Sequence, residues 1–353
     1  LTLRLRNTGT TPVRPSLRIE TKGGTREAVA NSIAAGTEGE VAVSFLADRS
    51  WIIGSEDLPR FASDQVTGLR VTADGAASLR LLAATADAPV AVLPDWLGKR
   101  PPVEGAWTPT LSEEFDTDWL NTRIWSDRTN NYWDKRCHFS AEQVKLGDGT
   151  LRLRFEAKKG RQNDDALGVE TDYATGVLTS YDRWTQKYGY FECRMKLPKA
   201  PGLWPAFWLM PDRGPEAGIW WKRSDTGKGG MEFDVFEHLT RFGPYRTNLA
   251  MHWDGYGKNH KSAGSGDIYY ALDAEGFVTS GLLWEPGRAV FYLNGTEVLR
   301  WENERVASVP MHILFTNVSG GWGGNTLDGS GLPDDYVLDY VRVWQRDDLA
   351  QAP

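Results

Sequence analysis

Three carboxylates fall within the seven residues Met231-Glu232-Phe233-Asp234-Val235-Phe236-Glu237. Between them, Phe233, Val235 and Phe236 favour a pleated conformation, and neither Pro nor Gly interrupts the run, so the segment reads as a strand. Side chains alternate along a strand, which puts Glu232 and Asp234 on one face and sends Glu237 to the other. A one-residue bulge between Asp234 and Glu237 would return Glu237 to its partners, and bulges occur where a side chain must be re-aimed. Acids gathered on one face repel each other and separate in pKa. One can then attack as an anion while another donates a proton. The competing reading is a solvated acidic edge strand. It fits poorly with the aromatic neighbours.

The segments around this strand are also β in pattern. Asn294-Gly295 joins Val290-Phe291-Tyr292-Leu293 to Val298-Leu299-Arg300-Trp301 as a hairpin whose turn tolerates positive φ. Tyr336 to Trp344 alternates as a closing strand. In the amino-terminal part, Leu1 to Asn7, Glu40 to Leu46, Val66 to Ala73 and Ser78 to Thr85 alternate similarly at the spacing of a sandwich. The expected fold class is all-β: an accessory β-sandwich over residues 1–95, a Pro-marked linker over 96–107 and a larger catalytic sandwich over 108–347. The first ninety residues hold no His and a single Trp, Trp51. The accessory sandwich is therefore a carbohydrate-binding module or a support, and the shortage of aromatics favours support.

At 353 residues the chain is long for one core. A net charge of −7 argues against nucleic acid as partner. No run of 18 apolar residues is present, which leaves no membrane-spanning helix. Sixteen Trp exceed ordinary usage, and indole faces make flat platforms for sugar rings. Cys137 and Cys193 are too few for a disulfide framework or a metal motif. In Tyr190-Phe191-Glu192-Cys193-Arg194-Met195-Lys196-Leu197 the odd positions are apolar, so Cys193 should point into a core, with a Cys137–Cys193 bridge left open. The chain opens directly in a strand pattern with no leader, as a processed or trimmed form would.

Four segments in order carry a resemblance. They are Gly189-Tyr190-Phe191-Glu192-Cys193-Arg194-Met195-Lys196, Gly202-Leu203-Trp204-Pro205-Ala206-Phe207-Trp208-Leu209-Met210, Glu232-x-Asp234-x-x-Glu237 and Val337-Leu338-Asp339-Tyr340-Val341-Arg342-Val343. Over roughly residues 108–347 the chain resembles glycoside hydrolase family 16, which includes laminarinases, lichenases, agarases, porphyranases and κ-carrageenases. The resemblance implies a β-jelly roll with a cleft across its concave face and retaining, endo-acting hydrolysis of a polysaccharide. Glu232 then matches the nucleophile, Glu237 the general acid/base and Asp234 the residue that tunes the nucleophile. Trp204 and Trp208 resemble tryptophans that floor the cleft, with core indoles as the alternative. His252 resembles a histidine that bonds Asp234 or substrate, against a purely structural histidine. Asp339 matches a position that helps hold a structural calcium; catalysis itself needs no cofactor.

The resemblance leaves the polymer open. Arg241, Arg246, Lys258, His260 and Lys261 follow the acidic strand, and cations beside a cleft in an acidic protein suit an anionic substrate. Arg246, Lys258 and Lys261 are thus candidate substrate contacts, against a plain solvated loop. Phe61 to Leu69 faintly resembles sandwich domains appended to agarases. The expected substrate is a red-algal galactan of the agar, carrageenan or furcellaran type, met by a secreted monomer. A β-1,3-glucanase, a transglycosylase and a non-catalytic binding protein are the alternatives.

Overall fold

A computed structural model describes residues 1–350 apart from 22–23, 48–49, 55–65, 132–135, 267 and 325. The agarase-like stretch at 61–65 therefore lies outside the described residues. The chain divides into two compact units. Among the described residues the smaller comprises 1–47, 66–90 and 268–271, and the larger the remainder.

The smaller unit holds two three-stranded antiparallel sheets. One orders Glu38–Ala42, Thr2–Asn7 and Leu79–Thr85, the other Gly24–Val29, Pro15–Thr21 and Val66–Ala73. Alternation puts Leu3, Leu5, Leu17, Ile19 and Val41 into one core, so strict period-two patterning builds it.

The larger unit is a two-sheet jelly roll. Its inner sheet contains β1 (Val177–Thr179), β2 (Leu203–Pro211), β3 (Glu232–Glu237), β4 (Arg246–Trp253), β5 (Lys261–Gly264) and β6 (Met311–Ser319). Their spatial order is β1-β6-β2-β3-β4-β5. The outer, eleven-stranded sheet is built around Gly189–Lys196, Val278–Glu285 and Asp334–Arg346. Between the sheets lie Phe207, Phe233, Phe236, Phe291, Phe315 and Trp284, all fully buried. Phe207 stacks on Phe315 with centroids 4.9 Å apart. Asn294 (φ 49°) and Gly295 (φ 82°) form the two-residue turn whose handedness matches strand twist.

Two expectations need correction. Residues 96–107 are not a loose linker: Val103 and Trp107 pack on a cluster of Tyr190, Leu283, Val290, Tyr292 and Trp344 on the far side of the outer sheet. The Gly189–Lys196 strand is consequently buried on both faces, Glu192 included. A period-two pattern marks which residues share a face but does not reveal that a segment distant in sequence covers the polar one. Trp51 begins the two-residue strand Trp51–Ile52, which pairs in parallel with Thr296–Glu302 of the outer sheet. It therefore belongs to the larger unit, although composition grouped it with the accessory sandwich. Cys137 and Cys193 are both buried thiols with no disulfide between them.

Candidate active site

Strand β3 positions the three carboxylates through its bulge. Against β4, Glu232 pairs with His252 and Asp234 with Ala250, and the register then shifts so that Glu237 pairs with Asn248. Against β2 the same irregularity falls between Trp208, opposite Asp234, and Phe207, opposite Phe236. Phe233, Val235 and Phe236 are thereby turned into the core, while Glu232, Asp234 and Glu237 all line one groove. The extra inward residue re-aims Glu237.

The groove encloses about 980 Å³. Its floor includes Trp204, Ala206, Trp208 and Met210 from β2, Asn248 and Ala250 from β4, and Thr316 and Val318 from β6. Trp204 donates from Nε1 to Glu237 Oε1 at 3.1 Å, and Asn248 donates to Glu237 Oε2 at 3.0 Å. One carboxylate oxygen each of Glu232 and Asp234 and a ring nitrogen of His252 lie within 4.8 Å of one another. His252 Nε2 stands 3.3 Å from Asp234 Oδ2, and its Nδ1 meets His260 Nε2 at 2.9 Å. A proton on His252 Nε2 facing Asp234 leaves Nδ1 to accept from His260, a tautomer assigned from these partners.

Burial is the main electrostatic fact of the site. It pushes Glu232 up to about 8, with help from the charge on Asp234 and against His252 and the Tyr256 hydroxyl. Burial raises Asp234 as well. Glu237 is driven well above the usual carboxylate range by burial first and then by Asp234, with Asn248 opposing. Three such acids cannot all ionise together. Glu237, raised by burial and flanked by two further acids, is thereby placed to carry a proton into the groove.

The tryptophans read from the sequence are floor rather than platform. Trp204 is 8% and Trp208 6% exposed, and Trp208 Nε1 donates to Thr316 Oγ1 at 3.2 Å. The open aromatic surfaces are Trp221, Tyr256 and Trp322, exposed by 70%, 59% and 43%. All three line the groove, and the sequence reading passed over them. Their signal is a large aromatic in a turn-rich stretch: Trp322 lies between Gly320-Gly321 and Gly323-Gly324, and Trp221 between Gly218 and Gly227. Exposed aromatics on loops tend to be functional.

Of the basic cluster, His260 lines the groove, whereas Arg241, Arg246, Lys258 and Lys261 do not. Among the described residues the lining contains no Lys or Arg. The Arg246 guanidinium lies 4.1 Å over the Phe242 ring, and Arg241 donates to the Gly323 carbonyl at 3.3 Å beside Trp322. Lys261 pairs with Asp254 at 3.2 Å, and Lys258 is exposed outside the lining. Arg241, Arg246 and Lys261 thus serve the loops near the aromatics, because sequence proximity to β3 does not set their direction. Asp339 is likewise taken: Arg194 Nη1 bonds its carboxylate at 2.8 Å. That guanidinium supplies the positive charge there, so Asp339 does not fit a calcium site.

The family model described as "Beta-porphyranase A-D, GH16 domain" matches residues 107–346. The chain belongs to glycoside hydrolase family 16. Similar proteins include the endo-1,3-1,4-beta-glycanase EglC of Rhizobium meliloti, 27% identical over 68% of this chain and 52% of that protein. The beta-glucanase of Rhodothermus marinus is also 27% identical, over 68% of this chain and 85% of its own length. The keratan-sulfate endo-1,4-beta-galactosidase of Sphingobacterium multivorum is 25% identical over 66% and 54%. The chain thus spans about half the length of the first and third of these. The jelly roll is shared with the catalytic domain of an endo-1,3-beta-glucanase from Thermotoga petrophila, at a TM-score of 0.57 and 21% identity, over 69% of this chain and 100% of that one.

Proposed function

We propose that the larger unit is a retaining, endo-acting glycosidase. The observation that carries this is the bulged strand β3, which turns Glu232, Asp234 and Glu237 into one groove around a Glu237 that holds its proton. In the first step a Glu232 oxygen bonds to the anomeric carbon, the glycosidic C–O bond breaks, and Glu237 gives its proton to the departing oxygen. In the second, Glu237 takes a proton from water as the water oxygen bonds to that carbon and Glu232 leaves as a carboxylate. Retaining enzymes hold the two carboxyls about 5–5.5 Å apart, which suits two acids on one strand. Asp234 tunes both through its charge.

The substrate that this reading favours is a β-galactan of the red-algal type. It is supported by the porphyranase description of the family model and by the relative named for cleaving keratan sulfate. A sulfate pressed onto the floor would meet three carboxylates and no described Lys or Arg. Sugar units in contact with the floor are therefore uncharged, and sulfates on the polymer face away from it. A β-1,3-glucanase is the second reading, favoured by the relatives named as glucanases. A polymer of this size is met outside the cell, which is the argument for a secreted protein.

The test is a reducing-end assay across porphyran, agarose, κ-carrageenan, furcellaran, laminarin and lichenan, with mass spectrometry of the products. Oligosaccharides released from a galactan are expected. Efficient cleavage of laminarin with none of any galactan would install the glucanase instead. Proton NMR of the first products should show retained β configuration, and inversion would overturn the mechanism.

A further inference from the structure

The loop after β4 returns a tyrosine to the nucleophile position. Asp254 (φ 61°) and Gly255 (φ 79°) are consecutive left-handed residues, which reverse the chain directly after Trp253. The reversal is clamped. Arg305 Nη2 bonds Asp254 Oδ1 at 2.9 Å and the Thr226 carbonyl at 2.8 Å, while Lys261 holds the second Asp254 oxygen at 3.2 Å. Gly255 N donates to Thr226 Oγ1 at 3.0 Å. From this base the Tyr256 hydroxyl reaches into the groove and donates to Glu232 Oε2, with Met210 Sδ 3.6 Å away. Its ring lies 5.7 Å from His260, which stacks on His252 at 5.1 Å.

We infer that Tyr256 is a positioning residue for Glu232: its hydroxyl holds one carboxylate oxygen so that the other faces the anomeric carbon. This rests on the catalytic reading above. A carboxylate placed beside Asp234 and Glu237 is pressed toward its neutral, unreactive form. The other titratable groups that line the groove are His252 from β4, His260 from the loop and Asp225 from the segment before β3, and of these His252 acts on Glu232. Although its ring edge is exposed, the hydroxyl lies against Glu232 and Met210, and desolvation there and the Glu232 charge keep it protonated, a donor that does not compete for the proton. When the glycosyl-enzyme forms, Oε2 becomes the ester carbonyl oxygen and can go on accepting the same bond. The loop base explains why Lys261 pairs with an acid instead of facing substrate: Asp254 needs its charge balanced to keep the reversal in place.

Tyr256→Phe removes the hydroxyl and keeps the ring. A hydrogen bond to a charged group of this kind corresponds to a fall in kcat/KM of about 10- to 100-fold. Because the bond favours the ionised carboxylate, its loss raises the Glu232 pKa, and the acid limb of the kcat/KM profile should move up by about 1 pH unit while the basic limb stays. Asp254→Asn, which loosens the clamp, should move the acid limb in the same direction by less. Thermal melting of both variants separates unfolding from loss of positioning. A rise in KM alone with an unmoved acid limb would mean that Tyr256 only stacks on substrate, and the inference would fall. Glu232→Ala with azide is run in parallel. If azide restores turnover but Tyr256→Phe leaves the acid limb unmoved, only the inference fails; if azide restores nothing, the assignment of Glu232 fails first.

Discussion

Glu192 and Glu237 are both buried carboxyls on strands of the same jelly roll, and they keep opposite company. Glu192 receives two hydroxyl donors, Tyr190 at 2.8 Å and Tyr340 at 2.9 Å, beneath the cover of residues 96–107. Burial raises it to about 7 even so. Glu237 also has two donors, Trp204 and Asn248, but its other neighbours are acids and it opens onto a groove. An elevated pKa is common to both sites. What differs is convergence: two further carboxylates aimed at the same space, and a route for a polymer to enter it. Burial of an acid is therefore a poor indicator of catalysis until its neighbours are charged and its surroundings are open.

The contrast breaks most sharply under alanine substitution. Glu232→Ala should abolish polysaccharide turnover and recover it with azide, giving a glycosyl azide of inverted configuration. Glu237→Ala should lose about 10²–10⁴-fold on polysaccharide and much less on aryl glycosides whose leaving groups need no proton. Near-normal turnover in either variant would remove the distinction from Glu192. Glu192→Gln should leave kcat unchanged.

A smaller effect sharpens the electrostatic side. Asn248 favours the anionic form of Glu237, so Asn248→Ala should raise the Glu237 pKa further. The basic limb of the pH–rate profile then moves up by about 1 unit, and a downward shift would contradict the assignment.

The smallest effect is expected at Glu192 and is read in stability. Its folded pKa of about 7 lies above the unfolded value of 4.5. The stability that it contributes is thus complete below about pH 4.5 and lost as pH rises to about 7, a slope worth roughly 1–3 kcal/mol. Glu192→Gln should flatten the chemical-denaturation stability across that window. An unchanged slope would place the burial cost elsewhere.

Much of this was legible in the sequence, for identifiable reasons. Glu232, Asp234 and Glu237 announce a bulge because period-two alternation and a shared face cannot both hold across them. The Asn294-Gly295 turn is a local rule, and local rules survive folding. The basic cluster misled because the directions of Arg246 and Lys261 are set by near neighbours, Phe242 four residues back and Asp254 across the turn, and not by proximity to β3. Trp51 misled for a related reason: a two-residue strand has no period to detect. Tyr256 was invisible because its role depends on two left-handed residues, and Asp-Gly is read first as a turn and only afterwards as an aim.

The cover over Glu192 has a practical consequence for dissecting the protein. Residues 96–106 lie ahead of the region that matches the family, yet Val103 packs beside Trp107 on an apolar cluster, and the Gly98 carbonyl takes a hydrogen bond from Arg342 at 2.5 Å. Trp51–Ile52, farther upstream still, supplies an edge to the outer sheet. The family boundary near residue 107 is therefore not a cutting site. A recombinant form started there would bare Tyr190, Tyr292 and Trp344 and leave the outer sheet with an unpaired border, which invites self-association. Portability of the hydrolase, whether for fusion or for domain exchange, has to be judged from residue 51 and not from the first residue that looks catalytic.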